Sequence, residues 1–385
     1  MKVVLVDPSL FTGPYDAALS EGLEANGIDP CWAVRQPRPG EEIDLPPSRR
    51  AAIFYPLTDG ANRAKRGSVK WLKGGEHFAG LFRLARLAAR QNADLVHFQW
   101  APLPSFDRLA TIMLQRRVPV VLTVHDTTPF NGVDVSPLQR HGLDALMRTV
   151  DQIVVHTTNA RGILIGEGID PARISVIPHG PLPLRAVPRP EFRPDAGPDS
   201  GPAGRTRIVL FGRIQSYKGV DVMIEALGRL SPERRARLEV VVAGEALIPI
   251  EPLETRADAL GIDKATLDIR PERLSEQAAA DLLASADAFV YPYRAIETSG
   301  VFYLSAGFRK WTIASALGSF KDLLSQPAPA GRLVRPGDVD DLTAALDECV
   351  GGAPIAAPLT SIPDWDEIGA ATRAMYRRLI DARAT

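Results

Sequence analysis

A chain of 385 residues exceeds what a single core reaches, roughly 250–300 residues, so two domains of about 180 residues each are expected. Its composition, 45% hydrophobic and 24% charged, excludes a disordered or fibrous protein. With 45 Lys and Arg against 46 Asp and Glu the net charge is −1, which excludes a dedicated nucleic-acid binder. Cys31 and Cys349 offer no CxxC, zinc spacing or disulfide framework, which fits a reducing cytosol.

The opening MKVVLVDPSL breaks at Asp7-Pro8 and reads as a buried first strand rather than a signal peptide. The loop Phe11-Thr12-Gly13-Pro14-Tyr15-Asp16 follows it. From Arg63 to Arg90 eight basic residues stand against one acid, Glu76, with Trp71, Phe78, Leu81, Phe82 and Leu84 between them. Such a stretch suits peripheral contact with an anionic membrane surface, or an ordinary solvated helix face. Buried strands are then predicted at Leu95–Phe98, Val118–Val124 and Ile153–Val155, with helical patterns between.

Pro178 to Pro202 contains eight prolines, so a stiff linker is placed at 181–205, closing an N-terminal domain at 1–180. The pattern restarts with strands at Arg207–Phe211, Leu238–Ala243, Leu267–Ile269 and Ala288–Tyr291, giving a C-terminal domain at 206–364. Apolar strands alternating with helices indicate parallel sheets covered on both faces, hence two doubly wound α/β domains. Cys349 to Pro363, the longest uncharged stretch near the end, is broken by Gly and Pro, so it cannot span a bilayer as a helix. Residues 365–385 read as a terminal helix, expected to pack back on the N-terminal domain.

Candidate chemistry lies mostly in the second half. After the strand Ile208–Phe211 come Gly212, Arg213, four residues, then Lys218-Gly219 and a helix through Leu230. This is neither GxGxxG nor the P-loop, but it sets two cations at the carboxyl end of a first strand, where anions bind. Later, Glu297-Thr298-Ser299-Gly300-Val301 leads into a helix carrying Ser305, with Ser299 as N-cap and the Gly300 and Val301 amides exposed. No HExxH or similar spacing occurs among the six histidines, so no metal site is expected; His125 is the one expected to act, and His97 and His156 read as core residues.

Taken in order, the G-R-x4-K-G element, Glu297 with Ser299-Gly300-Val301, Pro178-His179-Gly180 and Thr123-Val124-His125-Asp126 resemble a GT-B glycosyltransferase of the large retaining family called family 4. The resemblance implies two Rossmann-like domains with a cleft between them. It implies that Arg213 and Lys218 neutralise the donor diphosphate, that the Gly300 and Val301 amides touch the same phosphates, and that Gly212 and Ser299 lie beside them. Glu297 would hold the sugar hydroxyls, His125 would face the reacting sugar, and Gly13, Tyr15 and Asp16 would meet the acceptor. Where the family carries a second glutamate for the ribose, position 305 is serine, and the N-terminal loop has one glycine where many relatives have two.

The expected protein is thus a metal-independent retaining hexosyltransferase, without cofactor, in the cytoplasm or peripheral on the inner membrane face. It would move a sugar from a nucleotide-sugar donor to a saccharide or lipid-linked saccharide in surface polysaccharide synthesis. The alternatives are a nucleotide-sugar epimerase or hydrolase of the same fold, or a catalytically silent nucleotide-sugar-binding subunit.

Overall fold

The computed structural model describes residues 1–38, 41, 43–59, 69–127, 137–189, 205–359 and 362–384, without the side chains of 69–71, 137–141 and 384. Two compact units form: Met1–Phe130, Asp134–Gly180 and Pro363–Thr385 make the first, and Pro181–Ile362 make up nearly all of the second.

In the first unit, strands β1 (Lys2–Asp7), β2 (Asp29–Arg35), β3 (Arg50–Phe54), β4 (Leu95–Phe98), β5 (Val120–Thr123), β6 (Gln152–Val155) and β7 (Ile174–Val176) form one sheet. Its order is β3-β2-β1-β4-β5-β6-β7. Every pairing is parallel. Helices α1 (Gly13–Ala25), α2 (Val69–Gln91), α3 (Pro104–Leu114), α4 (Pro137–Thr149) and α5 (Thr158–Gly166) make the crossovers. β4, β5 and β6 are buried at every residue, which is why their apolar runs are continuous rather than alternating.

The second unit repeats the plan. Strands β8 (Thr206–Phe211), β9 (Leu238–Ala243), β10 (Leu267–Arg270), β11 (Ala288–Tyr291), β12 (Trp311–Ser315) and β13 (Gly331–Val334) run parallel in the order β10-β9-β8-β11-β12-β13. Helices α6 (Val220–Arg229), α7 (Pro232–Arg235), α8 (Glu251–Ala259), α9 (Glu276–Ala284), α10 (Gly300–Ala306), α11 (Gly318–Leu324) and α12 (Val339–Glu348) connect them. In both sheets the first strand is central and the order reverses beside it. That is the Rossmann-like arrangement, with its ligand crevice at the carboxyl ends next to the reversal.

The last helix, α13 (Trp365–Ala384), belongs to the first unit and lies on α1. The two helices touch at paired glycines: a Cβ on Gly22 would sit 2.0 Å from the Trp365 carbonyl oxygen, and one on Gly369 would sit 2.0 Å from that of Gly22. Asn26 Nδ2 ties the crossing by donating to the Gly22 and Asp366 carbonyls, each at 2.9 Å.

Two expectations need correction. Residues 181–189 are not a free connection: Leu182 and Leu184 pack on the second core, and Arg189 pairs with Asp281 at 2.8 Å. Proline there fixes an extended path along the unit rather than away from it. Residues 190–204 of the expected linker lie outside the described residues. In the basic stretch, Leu81 and Leu84 face the core, and Glu76 is buried, accepting hydrogen bonds from the Leu57 and Thr58 amides. The 3.6-residue repeat turns those leucines inward while Phe78 and Phe82 stay exposed. Residues 63–68 and the Lys70 and Trp71 side chains lie outside the described residues. Fully buried His77 then bridges α2 to α3, with Nε2 2.6 Å from Asp107 Oδ1 and Nδ1 2.8 Å from the Tyr55 hydroxyl.

Candidate active site

Leaving β8, the chain passes through Gly212, makes a short turn at Ser216–Lys218 and enters α6 at Val220. Gly219 takes φ +70°, and a Cβ there would lie 2.0 Å from the Pro292 carbonyl oxygen. Gly212 takes φ +107°, and a Cβ there would lie 2.7 Å from Lys218 Nζ and 2.8 Å from Val301 Cγ2. Glycine at both positions therefore lets Lys218 fold back over the end of β8. Lys218 is 4% exposed, and its Nζ lies 5.4 Å from the centre of the Tyr293 ring. No carboxylate pairs with it among the described residues. Burial, and then the neighbouring Arg213, lower its pKa to about 8. Among the described residues nothing supplies this buried ammonium with a counter-charge.

Arg213 is exposed and stands 3.7 Å from Glu245, a surface pair worth little in itself. The partner is Glu245, not Glu297 as a shared buried cluster would require. Glu297 is only partly buried. Its carbonyl accepts from the Ser319 amide at 2.8 Å, an approach that leaves no room for a Cβ at Gly318. Ser299 caps α10, its side chain accepting from the Phe302 amide. Val301, the second residue of α10, lies against Gly212, so the start of this helix and the Lys218 turn meet.

Ser305, expected at the donor, is turned into the core. It is 1% exposed; its hydroxyl accepts from Tyr291 at 2.6 Å and donates to the Phe302 carbonyl at 2.9 Å. A short side chain at this point of α10 is held inside the core by the tyrosine.

In the first unit four histidines line the carboxyl ends of adjacent strands: His97 in β4, His125 after β5, His156 after β6 and His179 after β7. His156 Nε2 lies 3.1 Å from His125 Nδ1, and His156 Nδ1 lies 2.9 Å from the Ile177 carbonyl. His97 contacts the Tyr376 hydroxyl at 2.6 Å and Thr123 at 2.8 Å. His179 Nδ1 lies 2.6 Å from the Gly180 carbonyl. Burial lowers all four: His97 and His179 to about 3, His156 to about 4 and His125 well below the usual imidazole range. His125 Nε2 is buried without a hydrogen-bond partner.

Tyr15 and Asp16, expected to meet an acceptor, are turned inward. Tyr15 is 5% exposed, its ring 5.0 Å from those of His125 and His179, 5.5 Å from His156 and 5.3 Å from Trp365. Asp16 is fully buried and accepts from the Thr12 hydroxyl at 2.9 Å, while Thr12 also donates to Asp7. α1 begins at Gly13, so the period of the helix carries positions 15 and 16 toward the sheet. At Gly13 the nearest atom a Cβ would meet is Asp44 Oδ2 at 3.7 Å, so packing alone does not demand glycine there. Among the described residues no group of three or more His, Cys, Asp or Glu is placed to hold a metal ion.

Sequence reasoning missed His156 and Tyr293 as partners of the site. Both follow buried strands directly, a signal that fits any core residue as well. It also missed Gly318, whose only mark is its place after β12, itself not foreseen.

The model of Glycosyltransferase Family 4 matches residues 17–180, and that of Glycosyl transferases group 1 matches 205–351. An MMP alpha-(1->4)-mannosyltransferase of Mycolicibacterium hassiacum is 27% identical over 329 residues, covering 77% of this chain and 74% of that protein. A D-inositol 3-phosphate glycosyltransferase of Kineococcus radiotolerans is 33% identical over 179 residues, covering 43% of this chain and 40% of its own length. Among solved structures, sucrose-phosphate synthase from Thermosynechococcus elongatus aligns with a TM-score of 0.73 at 16% identity, over 99% of this chain and 100% of that one. HepE of Anabaena, in complex with UDP and glucose, aligns at 0.66 and 16% identity over 100% of both chains. The paired Rossmann-like units are those of a GT-B glycosyltransferase. The chain belongs to the family 4-like, group 1 glycosyltransferases.

Proposed function

We propose that this enzyme transfers a sugar from a nucleotide-sugar donor to a hydroxyl of a saccharide or lipid-linked saccharide, with retention and without a metal ion, in surface polysaccharide synthesis. The observation that carries the reading is Lys218, buried without a carboxylate partner among the described residues. A donor diphosphate is the counter-charge it lacks, and its ammonium opposes the charge that develops as the diphosphate leaves. Arg213, exposed and only loosely paired, can turn to the same phosphates. The Gly300 and Val301 amides open α10 beside that turn. Glu297 accepts from the sugar hydroxyls, and His125 contributes its unpartnered Nε2. The solved complex of HepE with UDP-glucose supports a nucleotide-sugar for a fold of this kind.

The test is Glu297→Gln, assayed with a nucleotide-sugar panel in the presence of chelator. Turnover is expected to fall about 10²-fold or more with donor affinity nearly kept, since the lost bonds strengthen in the transition state. Unchanged turnover with a slightly lower melting temperature would make Glu297 a structural residue. Wild-type activity lost in chelator and restored by Mn²⁺ would overturn the metal-free part of the reading.

Membrane association belongs to the same proposal. No helix among the described residues is long and apolar enough to cross a membrane. On α2 and α3, however, Phe78, Phe82 and Phe106 form an exposed aromatic group, with ring centres 5.0 and 5.8 Å apart, beside exposed Leu109, Ile112 and Met113. Arg86, Arg116 and Arg117 line the groove between these helices. Exposed apolar surface ringed by arginine suits an anionic bilayer. The protein is expected to sediment with anionic vesicles, less as salt rises and less for Phe82→Ser; absence of binding to anionic vesicles would remove the proposal.

A further inference from the structure

The histidine row carries more than the single residue the reaction uses. The Ile177 carbonyl can only accept, so the His156 Nδ1 beside it at 2.9 Å bears the hydrogen. A neutral imidazole has one N–H, which leaves His156 Nε2 bare. Nε2 must then accept from the His125 Nδ1 that lies 3.1 Å away. The hydrogen of His125 is thereby spent on Nδ1, and its Nε2, buried and unpartnered, presents a lone pair.

We propose that His156 is a positioning residue that relays the Ile177 carbonyl through its ring and fixes His125 Nε2 as a hydrogen-bond acceptor. The inference rests on the reading of His125 as a substrate contact, and it names the chemistry required there. The group bound at His125 must be a donor, a sugar hydroxyl or an N–H; a carboxylate, phosphate or carbonyl meets a lone pair and is rejected. Burial supports the neutral state of both rings, their pKa values lying below the usual imidazole range. One influence runs the other way: the Gln99 backbone carbonyl also faces the His125 ring and favours a proton on it. Only the His156 contact has the geometry of a hydrogen bond.

The test is the proton position itself. The full chain is labelled with ¹⁵N-histidine, and long-range ¹H–¹⁵N correlation at pH 7 reads each of the six rings. His125 is assigned by the signals lost in His125→Gln. The expected pattern for His125 is a protonated Nδ1 with a bare Nε2, shifting toward the Nε2–H form in His156→Phe, which offers no acceptor. A protonated Nε2 on His125 in the unsubstituted protein overturns the proposal, and that result needs no variant to fold. Unchanged His125 signals in a folded His156→Phe protein overturn it as well. Turnover of His125→Gln is a separate measurement: if it stays at the wild-type level, the substrate contact is wrong whatever the proton position.

Discussion

Lowering the pH from 7 to 5 is expected to unfold the first unit while the second stays folded. All six histidines lie at or before position 179, so the second unit has none. In the folded first unit, His97, His125, His156 and His179 are held below their ordinary value, chiefly by burial. The unfolded chain binds protons at these rings below about pH 6.5, whereas folded His97, His156 and His179 do not until about pH 4 or lower, and His125 is held down in the same direction. Unfolding therefore takes up protons, and stability falls as the pH drops through that window. At pH 5 the His97, His156 and His179 rings each cost about 2 kcal/mol, on the order of 6 kcal/mol together, and His125 adds in the same direction, against a domain stability of about 5–15 kcal/mol.

Asp7 and Asp16 run the other way. Burial raises both, so their contribution is present at low pH and lost as pH rises through their folded values. Two such groups offset part of four. Calorimetry across pH 7 to 5 should show one transition moving to lower temperature, with hydrogen exchange placing the loss in residues before 181 and after 362. Equal movement of both units would refute the assignment of the cost to the histidine row.

Replacing Lys218 by methionine is expected to stabilise the protein and disable it. The lysine is held at about 8 against an ordinary 10.5, so at neutral pH its burial works against folding by about 3 kcal/mol. The sign follows: that cost is relieved as pH rises from about 8 toward 10.5. Methionine is unbranched and only one atom shorter, can rest on the Tyr293 ring and carries no charge. The melting temperature of the second unit should rise by roughly 5 °C. Turnover should fall by about 10²–10³, the usual loss when a group facing developing charge is removed. A fall in both quantities would mean that Lys218 is a structural cation with a partner in the protein.

The sequence carried the architecture well because buried parallel strands leave continuous apolar runs. Leu95–Phe98, Leu238–Ala243 and Ala288–Tyr291 have the same bounds in the structure as in the pattern. Three of the four edge strands were lost: β3 is half-buried at four of five residues, β13 opens with three such residues, and β7 has only three residues in all. The placement of Gly212, Lys218, Ser299 and Val301 at a strand end and a helix start was legible because short-range geometry fixes it. Ser305 was misjudged because its partner, Tyr291, sits fourteen residues earlier on another element. Tyr15 was misjudged because nothing local tells which face of α1 meets the sheet. The relay from Ile177 through His156 to His125 was beyond reach, since it joins three loops across two strand spacings.

The crossing of α13 on α1 bears on how the chain can be made. Trp365 covers Tyr15 and Tyr376 holds His97, yet both arrive only after the whole of 181–362 has been synthesised. Along the chain, the second unit is therefore complete before the closing helix of the first, and until α13 docks the glycine face of α1 stays uncovered. During that interval the early half of the chain is the vulnerable one, open to proteases and to chaperones that bind apolar helix faces. Its histidine row is sealed only once α13 has docked on α1.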